Sequence, residues 1–76
     1  MSLKSKLVSD LVKIAAAGGG MRLDIGGKLT SDLVEIAAAT KQGGGFLFLQ
    51  GASSKLVTDL VKIALAGGGH VVFEDK

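Results

Sequence analysis

The chain contains no cysteine. A disulfide framework, a thiolate-ligated metal and a thiol nucleophile are therefore excluded at the outset. Small secreted domains of this size lean on such cross-links, so the expected compartment is the reducing cytoplasm. Tryptophan and tyrosine are also missing, and three phenylalanines supply all the aromatic side chains. That leaves little for stacking nucleic-acid bases. Neither sign of charge dominates: nine basic against seven acidic residues give a net charge of +2, too small an excess to predict a polyanionic partner. No run approaches the roughly 18 apolar residues of a membrane span. The apolar stretch behind MSLKSK is broken at once by Asp10 and Lys13, which a secretory signal would not tolerate. With a single histidine, His70, a multi-histidine metal site within one chain is ruled out.

What is present fits one domain over residues 1–76 and no second core. Hydrophobic residues make up 47% of the chain and charged residues 21%, too apolar for disorder. A chain this short buries only about 60% of the surface its unfolded form exposes, so burial supplied by a partner would matter.

The strongest feature is a repeat. KLVSDLVKIAAA from Lys6, KLTSDLVEIAAA from Lys28 and KLVTDLVKIALA from Lys55 align without gaps, and the first matches each of the others at ten of twelve positions. Each is followed by three glycines, after an insertion of Thr40, Lys41 and Gln42 in the second copy, and then by a short apolar run: MRLDI, FLFLQ and HVVFE. Spacings of 22 and 27 residues between copies lie in the range of solenoid repeats.

The twelve-residue segment has the period of an amphipathic helix. In the third copy Leu56, Leu60, Ile63 and Ala64 form the stripe, widened by Val57 and Val61, with Lys55, Thr58, Asp59 and Lys62 opposite. Ser5, Gly27 and Ser54 are the expected N-caps, and Asp10, Asp32 and Asp59 sit where the helix dipole favours acid. Glycine then stops each helix, since it takes the left-handed conformation without steric cost. The runs after the glycines, rich in Phe, Val, Leu and Ile, read as short strands. Met21, Leu23 and Ile25 alternate with Arg22 and Asp24, whereas 46–49 is apolar on both faces, as a central parallel strand would be.

The expected fold class is therefore α/β. It comprises three tandem helix–strand repeats (6–25, 28–50 and 55–74) in the order αβαβαβ, with a short parallel three-stranded sheet, strand two central, and a solenoid-like stack. Helices pack about 8–10 Å apart, whereas strands are spaced about 4.8 Å, so three helices do not lie flat over three strands. Either the first helix crosses to the other face, or the array curves as in a leucine-rich horseshoe, or a second chain completes the cover. The surplus apolar strand surface (Phe46, Leu47, Phe48, Leu49, Val71 and Phe73) is the candidate interface. The expected assembly is a homo-oligomer, in the first instance a dimer, with another protein as the other candidate partner.

Other chemistries are poorly served. The triple glycines follow helices, whereas a phosphate loop precedes one, so they read as turns. The strand-to-helix connections offer the alternative site: the loop Gly26–Lys28, with Gly27 and Lys28, and the loop Gly51–Lys55, with Ser53, Ser54 and Lys55, at the carboxyl ends of strands where α/β sheets bind ligands. These could hold an anion or nucleotide if Lys28 and Lys55 converge. His70 opens the third strand while Ser53 and Ser54 follow the second, which separates the members of any Ser-His-Asp triad. Asp10, Asp32 and Asp59 form a solvated ridge. The expectation is a non-enzymatic interaction or self-assembly module without cofactor or metal, with neither nucleic acid nor membrane as partner.

Overall fold

The computed structural model describes residues 7–25 and 28–75. Helix and strand alternate: α1 (Val8–Ala16), β1 (Met21–Asp24), α2 (Thr30–Gly43), β2 (Leu47–Gln50), a single 3-10 turn (Ala52–Ser54), α3 (Val57–Gly67) and β3 (Val71–Glu74). The three strands form one parallel sheet in the order β1-β2-β3. Its register aligns Met21, Leu47 and Val71 across the sheet, then Arg22, Phe48 and Val72, and so on to Asp24, Gln50 and Glu74.

The core lies on one side of this sheet. Met21, Leu23, Leu47 and Leu49 are buried together with Leu11 and Ala15 of α1, Leu33, Ile36 and Ala37 of α2, and Ile63 of α3. Val71 and Phe73 pack against the same cluster, and α2 packs against both α1 and α3. All three helices thus cover one face, and the first helix has not crossed to the other. The reason is handedness. A strand order that advances in one direction, with right-handed connections at each step, places every crossover helix on the same side. The molecule measures 29 × 27 × 18 Å, and its thinnest dimension accommodates one layer of helices on one sheet.

Small residues make the helix layer narrow enough. A Cβ on Gly43, at the end of α2, would collide with the carbonyl oxygen of Ala15. A Cβ on Gly67, at the end of α3, would collide with Val71 and lie 3.6 Å from the Cβ of Ala37. Gly43 is therefore the point where α2 rests on the main chain of α1, and Gly67 makes room for Val71 where α3 passes Ala37 of α2. Gly44 and Gly68, in the left-handed conformation at φ 82° and 52°, then end α2 and α3.

The helix starts differ from expectation. The N-caps are Leu7, Leu29 and Leu56, each extended and each without a side-chain cap. Ser5 and Gly27 lie outside the described residues. Ser54 is engaged elsewhere, for its hydroxyl donates to Gly51 O at 2.8 Å inside the 3-10 turn. The carbonyl of Lys28, which would otherwise begin α2, accepts from Lys55 Nζ at 3.0 Å. The same start recurs at all three helices, α1 included. Asp10, Asp32 and Asp59 become first-turn residues, at the positive end of the dipole.

Candidate functional site

The outer face of the sheet carries no helix among the described residues. Each strand turns its alternate residues there: Arg22 and Asp24 from β1, Phe48 and Gln50 from β2, Val72 and Glu74 from β3, with Phe46 and His70 just ahead of β2 and β3. Phe46 is 51% exposed and Val72 40%, while Phe48 is half-buried. An apolar strip therefore runs obliquely across an otherwise polar face.

That strip is fixed by contacts across strands. The His70 ring lies against Phe46, with centroids 5.4 Å apart, and its Nδ1 is 2.7 Å from Gly45 O. A carbonyl only accepts, so Nδ1 carries the proton and donates. The Arg22 guanidinium lies 5.1 Å from the centre of the Phe48 ring and continues past it to Glu74, where Nε approaches Oε1 at 3.3 Å. This contact is an ion pair without hydrogen-bond geometry, and Oε1 makes no hydrogen bond. Arg22 is 58% exposed, so the pair contributes no more than about 1 kcal/mol. Its main effect is to lay a cation and an aliphatic stem over Phe48.

The six residues of the candidate interface divide between the two faces. Phe46 and Phe48 lie on the open side, whereas Leu47 and Leu49 are fully buried beneath the helices, and Val71 and Phe73 face the same core. Val72 joins the open strip although the sequence reading did not single it out. Its place in the alternation behind His70 was the available signal. A second set of exposed apolar residues corrects the expected stripe of the third helix, of which Leu56, Val57, Val61 and Ala64 are exposed and only Leu60 and Ile63 turn to the core. The three N-cap leucines, Leu7, Leu29 and Leu56, are about two-thirds exposed, and Val57, Val61 and Leu65 of α3 face outward. The identical Lys-Leu pair opening every copy was the sequence signal for the leucines.

Among the described residues the two strand-to-helix connections meet through Lys55 and Lys28. Lys55 Nζ reaches across to donate to Lys28 O at 3.0 Å and Thr30 Oγ1 at 3.2 Å. Its ammonium thus ties the loop before α3 to the start of α2. Ser54 is held by Gly51, Ser53 is exposed, Lys28 is half-buried, and Gly27 lies outside the described residues. His70 stands at the start of β3 and Ser53 and Ser54 beyond the end of β2, at opposite ends of parallel strands. Among the described residues no group of three His, Asp or Glu side chains could hold a metal, and no helix is long and apolar enough to cross a membrane.

No family model matches the chain, and neither a curated protein nor a solved structure does. The functional reading therefore rests on the surface just described.

Proposed function

We propose that this chain is a non-enzymatic interaction module that assembles with copies of itself. On this reading the three helix–strand copies act as a short solenoid-like stack with strand two at its centre, working in the cytoplasm. One observation carries the reading: among the described residues, large apolar side chains stay exposed in aligned sets, Phe46 and Val72 on the sheet and Val57, Val61 and Leu65 on α3. Scattered exposed apolar residues are ordinary, but aligned ones mark contact surfaces. Short chains also gain most from burial supplied by a partner. Anion binding ranks second, because the Lys55 ammonium is already directed at a main-chain carbonyl and a hydroxyl.

The test is the mass in solution by sedimentation equilibrium across the micromolar range. The expected result is a species heavier than the 7.7 kDa monomer, growing with concentration. A monomer at every concentration would sink the proposal.

A further inference from the structure

The two ends of the helix–sheet stack differ from its middle in a regular way. Corresponding positions of the three copies have the same or similar side chains, so differences in their burial report what lies beside them. Ile36 and Ile63 are fully buried, but Ile14, their counterpart in α1, is 38% exposed. Ala39 is buried and Ala66 half-buried, whereas their counterpart Ala17 is exposed. At the other end the pattern is mirrored. Ala15 and Ala37 are buried and Val12 and Val34 half-buried, yet Ala64 is exposed and Val61 is 50% exposed. The direction of each face is fixed by the helix contacts, since Gly67 rests on Ala37 and Gly43 on Ala15. The face of α1 bearing Ala15 therefore receives α2, and the face of α2 bearing Ala37 receives α3. On α3 the same face, with Val57, Val61 and Ala64, receives nothing among the described residues.

From this complementarity we infer that copies of the chain join head to tail. The α3–β3 end of one molecule docks on the α1–β1 end of the next, repeating the contact already made twice inside each chain. This inference rests on the self-assembly reading and specifies its geometry. The sheet offers the matching edges. Met21 N donates to Phe46 O and Leu47 N donates to His70 O, and parallel ladders alternate in direction along a strand. The amides of Val71 and Phe73 consequently face away from β2, as does that of Arg22 on β1. Continuing the register sets Val71 opposite Met21 of the next copy, joining two edges that a solenoid otherwise has to cap with polar residues. The same register places Glu74 opposite Asp24 of that copy, with the neighbouring Arg22 diagonal to Glu74. The union is heterologous: it closes into a ring or runs on as an open chain of molecules.

The test uses one blocked end per variant. Ile14→Glu, with Ala17→Glu as a second form should the first unfold, blocks the leading end, and Val61→Glu blocks the trailing end. Folding is checked by circular dichroism. Each variant alone is expected to sediment as a monomer, and their equimolar mixture as a one-to-one pair of twice the monomer mass. In the unmodified chain, amide exchange at Arg22, Val71 and Phe73 is expected to slow as concentration rises. Variants that assemble like the parent chain overturn the inference, as does a mixture that stays monomeric, or edge amides that exchange at one rate at all concentrations. If Phe46→Glu alone halves the mass, the contact lies on the outer sheet face, and self-assembly stands without the head-to-tail geometry. A parent chain that is always monomeric removes both.

Discussion

At the residue scale, the close packing of this chain is set by what two glycines lack. Gly43 sits where a Cβ would enter the carbonyl oxygen of Ala15, and main-chain atoms within a helix have little freedom to retreat. The Gly43→Ala variant is accordingly expected to lose about 1–3 kcal/mol, the usual range for overpacking, despite the better helix propensity of alanine. Urea denaturation followed by circular dichroism measures it, and a gain in stability would show that α2 is free to slide along α1. Thr40 illustrates a different accommodation. It is fully buried inside α2, and its hydroxyl donates back to Ile36 O at 2.8 Å, so burial leaves no orphaned donor. Val72 and Phe46 show the reverse situation, with apolar surface left exposed among the described residues even though the His70 ring lies against Phe46.

At the scale of elements, the connection before each helix is as consequential as the helix itself. The amphipathic period indicates where each helix runs, and ahead of α2 the carbonyl of Lys28 is taken by a side chain from the next copy. Lys55 crosses 27 residues of sequence to reach Lys28 O, and this half-buried tie connects the starts of α2 and α3. Lys55→Met keeps the aliphatic stem and removes the donors. The expected cost is about 1 kcal/mol, read as a lower urea midpoint with an unchanged slope. An unaltered midpoint would mean that the ammonium is equally well satisfied by water. The insertion Thr40–Gln42 continues α2 instead of forming a loop, which makes it the longest helix at fourteen residues. Lys41 then lies over the turn at Gly68, another link between consecutive copies.

For the whole molecule, stability and assembly are coupled. Among the described residues, one layer of helices on one sheet leaves a polar-rimmed apolar strip on the far side and, on each end helix, one face without a neighbour. If copies associate in the folded state only, mass action raises the apparent stability with concentration. Thermal unfolding of the parent chain is expected to show a Tm that increases over a hundredfold range of protein concentration. For a variant blocked at one end the Tm should stay constant. A parent Tm independent of concentration would count against self-assembly. The surface contacts on the open sheet face respond differently, because the Arg22–Glu74 pair is exposed enough for salt to screen it.

Much of this architecture was legible without coordinates. The alternation of 3.6-residue and two-residue periods, punctuated by glycine, determines that helices and strands follow one another, and short apolar strands separated by helices imply parallel pairing. The sequence also determines that surplus apolar surface exists. It does not determine where that surface goes. Phe46, Leu47, Phe48 and Leu49 are apolar on both sides of the pleat, so local pattern assigns neither side to the core. Tertiary structure decides by handedness: right-handed connections along an advancing strand order put every helix on one face, burying Leu47 and Leu49 and leaving Phe46 in water. The exposure of the outermost helix faces shares that origin. Near-identical segments have near-identical local preferences, and only the presence or absence of a neighbour distinguishes Ile14 from Ile36.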